Sequence, residues 1–322
     1  MHKEQNQLKI AFFGTPEYSL LVLNNLFETG LTIVCIVTKP LRPVGRKQEM
    51  TQTPVAQWAK QHQIPLLTPP ADKTKPWLFA DEVSATDEIL KFKPDILITA
   101  DYTQKIPLNL IKQVKFGGLN IHPSLLPAYR GPAPVPWAII NGETETGVTI
   151  LTLSQQLDSG TIIAQEKEPI LPADKTPDLL FRLFEKGADL LIKVLPGYIS
   201  QYPNLQRTTH LPNLQPSYLP RLTRDHGFES WINIKQAIKN GSYAVRIERK
   251  WRAFHPWPGL WTQVKIHGQK KRLKILSINL KPATNLSDNL QLDEIQLEGK
   301  QPVSGKDVRV FIDRLLVEDI NT

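Results

Sequence analysis

Asn120 and His122 stand two residues apart in a short apolar run that breaks at Pro123. On a strand, residues i and i+2 project to the same face, so an amide donor and a titratable imidazole converge on one spot. The break leaves both near the strand's carboxyl end, where open α/β sheets bind ligands. Taken alone, an Asn-x-His pair reads as a capping amide and a satisfied interior histidine. Two neighbours shift that reading toward chemistry. Asp158 lies on the loop Leu157-Asp158-Ser159-Gly160 after another predicted strand, and the stretch from Ser124 to Gly131 is rich in rigid residues. No Ser or Cys nucleophile stands within reach by motif, so Asn, His and Asp together suggest acyl transfer directly to an external nucleophile. That reaction needs a donor for the developing oxyanion, a neutral attacking amine and a route for its proton. The neutral amide of Asn120 suits the first, and an imidazole oriented by Asp158 suits either of the others.

The elements that must position these groups are legible from periodicity. Short apolar runs alternate with amphipathic stretches over the first 150 residues, the pattern of strands and crossover helices in a mainly parallel sheet. Strands are expected at 9–13, 33–37, 95–99, 118–122, 148–153 and 161–165, with helices near 20–27, 55–61 and 85–92. Leu179, Leu180, Leu183, Phe184, Leu191, Ile192 and Leu195 supply the apolar stripe of a long helix over 177–195. The fold class is therefore α/β, a Rossmann-like open sheet. Linker composition runs from Pro196 to Pro220. Beyond it come one helix over 234–251 and short strands at 261–266, 273–278 and 308–312, suggesting a small β-barrel or sandwich. The domains are expected at 1–200 and 217–322, joined by a linker at 201–216.

Several function classes drop out. Gly14-Thr15-Pro16 after the first strand lacks the further glycines of a dinucleotide fingerprint or a phosphate-cradling loop. No Gly-x-Ser-x-Gly elbow occurs and no two of the seven histidines pair at ligand spacing, so no metal is expected. A lone Cys35 makes no internal disulfide. No stretch approaches the roughly 18 apolar residues of a membrane helix. The opening residues have no apolar region behind them, so a cytoplasmic address is expected.

The net charge of +8 is not spread evenly. Residues 1–206 carry 20 basic and 20 acidic residues, whereas 207–322 carry 19 and 11. Within 235–281 stand twelve Lys and Arg with Glu248 as the one acid. Such density suggests a surface for a polyanion, nucleic acid in particular. The plainer alternative is a solvated face that aids solubility. Arg249, Lys250 and Arg252, beside Trp251, Phe254, Trp257 and Trp261, are expected RNA contacts, as are Lys270, Lys271 and Arg272. The aromatic residues themselves read as domain packing. A second basic loop, from Thr38 to Lys47, contains Lys39, Arg42, Arg46 and Lys47.

Asn120-x-His122-x-Ser124-Leu125-Leu126-Pro127, then Tyr129-Arg130-Gly131-Pro132, Glu145-Thr146-Gly147-Val148 and Leu157-Asp158-Ser159-Gly160, resembles the formyltransferases that use 10-formyltetrahydrofolate. The resemblance spans nearly the whole chain, from Phe13-Gly14-Thr15-Pro16 through Arg42-Pro43-x-Gly45-Arg46. It reaches Arg252-Ala253-Phe254-x-Pro256-Trp257-Pro258-Gly259, a run specific to the branch whose acceptor is initiator methionyl-tRNA. The resemblance implies Asn120, His122 and Asp158 in the catalytic positions and Ser124, Leu125, Leu126 and Pro127 along the folate pocket. It also implies Arg42, Arg46 and Lys47 in a loop against the tRNA acceptor stem, and an OB-like C-terminal barrel. The formyl acceptor would be the methionine α-amino group on initiator tRNA and the product tetrahydrofolate, with the enzyme expected to act as a monomer. Thr103, Gln156 and His255 depart from the family's habit. Two other readings stand beside this one: a folate-dependent transferase acting on a small amine, such as a sugar nucleotide or glycinamide ribonucleotide, and a non-catalytic RNA-binding protein on the same scaffold.

Overall fold

The structure, a computed structural model, describes residues 8–44, 49–204, 218–282 and 289–318. The chain forms two compact units: Met1–Pro134, Glu145–Pro169 and Leu180–Leu219 make the first, and Val135–Thr144, Ile170–Leu179 and Pro220–Thr322 the second.

Elements follow in order as β1 (Lys9–Gly14), α1 (Ser19–Glu28), β2 (Thr32–Val37), β3 (Arg42–Val44), β4 (Glu49–Thr51), α2 (Pro54–Gln61), β5 (Leu66–Leu67), α3 (Glu82–Leu90), β6 (Ile96–Ala100), α4 (Leu108–Gln113), β7 (Gly118–His122), α5 (Pro134–Asn141), β8 (Glu145–Thr152), β9 (Ile162–Pro169) and α6 (Thr176–Gln201). Seven strands make the main sheet in the order β5-β2-β1-β6-β7-β8-β9. Its first five strands are parallel, and β8 and β9 each run antiparallel to the strand before. From β1 the chain builds outward to β2 and β5, then returns to lay β6 on β1's other side. The carboxyl ends of β1 and β6 thus flank a topological switch point, the usual ligand crevice of such sheets. Local chemistry sets the helix starts. Thr53 caps α2 by accepting from Ala56 N, with Pro54 next to it, and Asp81 caps α3 by accepting from Val83 N and Ser84 N.

Two features were not legible in the sequence. Residues 135–144 and 170–179 group with the C-terminal unit, because Trp137 packs edge-on to His226 and Phe254, and Thr176 Oγ1 donates to Ala253 O at 2.6 Å. The long helix runs on through Pro196, where linker composition suggested a break. Pro196 forgoes one helical hydrogen bond, but buried Tyr198 anchors the last turns by donating to Phe116 O at 2.7 Å. Most of the expected linker, residues 205–216, lies outside the described residues.

The second unit continues with α7 (Trp231–Asn240), α8 (Ala244–Ala253), β10 (Leu260–Ile266), β11 (Gln269–Lys281), β12 (Asn289–Leu297), β13 (Val303–Ser304) and α9 (Lys306–Glu318). Its four strands form one antiparallel sheet in chain order, the C-terminal β domain the sequence suggested. Ile234, Ile247, Val264, Leu273, Leu292 and Ile312 pack in its core. The single helix expected over 234–251 is two, divided by Gly241 in the left-handed conformation. The strand expected at 308–312 is part of α9. Val308, Ile312 and Leu315 are buried while Val310 is exposed, which fits a helical period and not alternation.

Candidate active site

β7 carries Asn120 and His122 between β6 and β8, and Asp158 comes from the β8–β9 connection. That connection closes tightly: Thr152 N donates to Thr161 O at 2.9 Å and Thr161 N to Thr152 Oγ1 at 2.8 Å. Gly160 is required there, because an added Cβ would lie 1.8 Å from Thr152 O. The loop brings Asp158, 8% exposed, against β7. Its Oδ2 accepts from Gly131 N at 3.0 Å, and its Oδ1 lies 3.4 Å from Asn120 Nδ2 and 3.5 Å from His122 Nδ1. The three residues singled out from the sequence therefore meet.

Donor and acceptor types fix how they meet. Thr99, beside Asn120 in the β6–β7 register, donates its hydroxyl to Asn120 Oδ1 at 2.6 Å. A carboxylate only accepts, so Nδ2 must be the atom toward Asp158, and the amide orientation follows. One Nδ2 hydrogen then remains for a ligand oxygen. His122 Nε2 lies 3.1 Å from Tyr129 O, which also only accepts, so Nε2 carries hydrogen. In the neutral ring Nδ1 is then an acceptor facing the carboxylate of Asp158, also an acceptor. A proton between the two satisfies both, so this pair is built to receive one.

The loop after His122 is held by its own polar groups. Thr149 Oγ1 donates to Ser124 O at 2.6 Å and accepts from Leu126 N at 3.1 Å and Gln165 Nε2 at 2.9 Å, using its whole hydrogen-bonding capacity. Ser124 donates to Ala128 O at 2.9 Å. Ser124 and Leu126 are thus buried scaffold, whereas Leu125 and Pro127 are half-exposed. Tyr129 (φ 58°) and Asp158 (φ 52°) both hold the left-handed backbone region. Such strain persists only where surrounding contacts enforce it, and it gathers at functional sites.

Asp101, at the end of β6, also has φ 47° and was not singled out from the sequence. Tyr18 donates its hydroxyl to Asp101 Oδ2 at 2.5 Å. Desolvation pushes the Asp101 carboxyl above its usual range, against the Tyr18 hydrogen bond and the charges of Lys39 and His122. Desolvation and the neighbouring carboxylate push the Tyr18 hydroxyl far up, so it stays a donor. The one signal for Asp101 was a carboxylate directly following the apolar strand from Ile96 to Ala100. Thr99 and Gly131 gave none beyond their neighbours.

The expected RNA contacts divide. Arg46 and Lys47 lie outside the described residues, as does the side chain of Arg42 at the start of the β3–β4 hairpin. Lys250 is engaged internally, pairing with buried Glu229 at 3.2 Å and donating to Phe228 O. Arg252 is buried against Glu248 at 2.5 Å and Asp174 O at 3.1 Å. Arg249 packs onto Gly142, where an added Cβ would fall 2.2 Å from Nη1. The β10–β11 register instead puts Trp261, Gln263, Lys265, Lys270, Arg272 and Lys274 on one face, with Arg272 4.7 Å over the Trp261 ring. Lys271 pairs opposite Val264 and belongs to the other face. Phe254 is buried and Trp251 donates to Leu276 O, consistent with packing, while Trp257 is exposed. No helix among the described residues is long and apolar enough to cross a membrane.

Compared with known proteins, residues 8–195 match the formyl transferase family and residues 235–289 the formyl transferase C-terminal domain. The chain is 36% identical over 316 residues to methionyl-tRNA formyltransferase of Halalkalibacterium halodurans, covering 93% of each. To that of Dehalococcoides mccartyi it is 34% identical over 321 residues, covering 94% of this chain and 95% of the relative. In fold it is similar to a HypX variant of Aquifex aeolicus, with TM-score 0.61 at 16% identity over 94% of this chain and 48% of the other. It is similar also to an N-formyltransferase of Helicobacter canadensis in complex with folinic acid and dTDP-3-aminofucose, with TM-score 0.57 at 19% identity over 85% and 88%.

Proposed function

The chain belongs to the formyl transferase family, and from that premise we propose that it moves the formyl group of 10-formyltetrahydrofolate to the methionine α-amino group of initiator methionyl-tRNA. The carrying observation is the meeting of Asn120, His122 and Asp158 at the end of β7, with an uncommitted amide hydrogen beside a gap that takes a proton. Identity of 36% to a methionyl-tRNA formyltransferase along 93% of both chains supports the choice of acceptor.

The amine nitrogen attacks the formyl carbon and the carbonyl electron pair moves onto oxygen, where Asn120 Nδ2 stabilises the oxyanion. The proton leaving the amine goes to His122 Nδ1, held in place by the carboxylate of Asp158. Collapse of the tetrahedral intermediate breaks the bond to folate N10, and the pair returns the proton there, releasing tetrahydrofolate. Leu125 and Pro127 offer apolar surface to the folate, while Ser124 and Leu126 keep their loop rigid. Lys265, Lys270, Arg272 and Lys274 form the cationic face for the tRNA backbone.

The test is to incubate the protein with 10-formyltetrahydrofolate and charged initiator tRNA. Formyl-methionyl-tRNA and tetrahydrofolate should appear in equal amounts. Binding of tRNA without turnover, or formylation only of small amines, would overturn this reading.

A further inference from the structure

Asp101 has no part in the chemistry described above, yet the fold holds it at that chemistry's edge. β1 pairs with β6 through Gly14 and Ala100, and β6 with β7 through Ala100 and Ile121. The next position along β6 is therefore Asp101, level with His122. Tyr18, just past β1, and Asp101, just past β6, stand on the two sides of the topological switch point. Ser19 Oγ donates to Ala100 O at 2.7 Å and ties these ends together. The Tyr18 ring is itself fixed by Phe184 at 5.0 Å and Phe181 at 6.0 Å.

Tyr18 engages one carboxylate oxygen, and no described residue hydrogen-bonds the other. A strained, desolvated carboxylate with one open oxygen at a ligand crevice calls for a donor from outside. We propose that Asp101 is a substrate-binding residue whose open Oδ1 accepts an N–H that one of the two substrates brings, either the α-amino group of the methionine or the N–H groups of the pterin ring. The inference rests on the proposed reaction for its two ligands. It adds a carboxylate that the formyl-transfer step does not require. The groups that act on Asp101 are the Tyr18 hydroxyl from the β1–α1 connection, Lys39 beyond β2 and His122 on β7. Asp101 is partly buried rather than sealed, so its open oxygen stands within reach of an arriving N–H.

Asp101→Asn keeps the shape, the acceptor for Tyr18 and tolerance of the left-handed backbone, and removes only the charge. Binding of 5-formyltetrahydrofolate, and KM and kcat for 10-formyltetrahydrofolate and for methionyl-tRNA, are measured on both proteins. One substrate should bind about 10- to 100-fold more weakly, with the other unchanged and kcat within about threefold. Weakening on the folate side assigns the pterin ring, and on the tRNA side the amine. That weakening should also appear in wild type on acidification, beginning above the usual aspartate range, and be absent from the variant. Tyr18→Phe, which frees the carboxylate, should weaken the same substrate by a smaller factor. Unchanged constants for both substrates, or equal loss for both, would overturn the proposal. A wild-type protein that formylates nothing would instead refute the assigned reaction, and direct folate binding would still decide on Asp101.

Discussion

Asp158 faces His122 across 3.5 Å, Oδ1 to Nδ1, while the far ring nitrogen is held by the Tyr129 carbonyl. Asp158→Asn would keep an oxygen for Gly131 N but present an N–H to Nδ1, satisfying that nitrogen permanently. The ring would keep its place and lose its capacity to take a proton. We expect kcat to fall by about 10²–10⁴ with little change in either KM. Steady-state kinetics with both substrates decide it, and a kcat near wild type would remove the pair from the proton's route.

Asn120 works through an orientation imposed by Thr99. If Asn120 is the oxyanion donor proposed above, Asn120→Ala should lower kcat by about 10²–10³. Thr99→Val leaves the amide in place but free to turn, and should cost about tenfold at most. The graded pair separates a donor from a spacer: if both variants cost the same, the hydroxyl rather than the amide is what matters.

Asn120 and His122 were readable because a strand's period of two puts them on one face, and Asp158 because Gly160 marked its loop. Their meeting also depends on contacts far apart in sequence, such as Gly131 N on Asp158 and Thr99 on Asn120, which leave no local pattern. Val308 to Ile312 misled for a related reason. Val308, Val310, Phe311 and Ile312 are strand-favouring types, and only Leu315, one turn further on, restores the helical period. The basic third was visible as composition, but Glu229 and Glu248 decide which cations face inward, and pairing across elements is not written in charge density.

Gly160→Ala tests how far the loop's closure positions Asp158. The added Cβ meets the Thr152 carbonyl, which is backbone and cannot swing aside. The loop must shift, and a displacement near 1 Å at a catalytic group costs on the order of 10²-fold. We expect that loss in kcat with only a modest drop in melting temperature. Wild-type kcat would show that Asp158 reaches His122 without this closure.

Glu229 is buried in the second unit, and its Oε1 accepts from Arg246 at 2.9 Å and Asn233 at 2.7 Å. Desolvation alone would raise its carboxyl, but these donors and the Lys250 charge outweigh it and hold the group below its usual range. A depressed carboxylate contributes stability that is full above its unfolded value and is lost as pH falls through the folded one. Glu229→Gln should therefore cost about 2 kcal/mol near pH 7, below the roughly 3–5 kcal/mol of a fully buried pair because Arg246 is half-exposed. In thermal melts the gap from wild type should narrow below about pH 4. A constant gap across pH would mean that packing, not charge, is what Glu229 supplies.

Lys265 and Lys270 stand directly opposite each other across β10 and β11, with Lys274 further along the same face. Like charges at paired positions destabilise a sheet, so a face serving only the fold would gain from losing them. The triple variant Lys265→Gln, Lys270→Gln, Lys274→Gln should melt no lower than wild type, and slightly higher at low salt. If the face grips tRNA phosphates, the same variant should raise KM for methionyl-tRNA and flatten its salt dependence. The slope of log KM against log salt should drop by about 0.9 for each contact to duplex phosphate. KM for the folate, whose proposed site is in the first unit, should stay put. Stability gained with an unchanged salt slope would reduce the face to a solvated surface and place the tRNA contacts elsewhere.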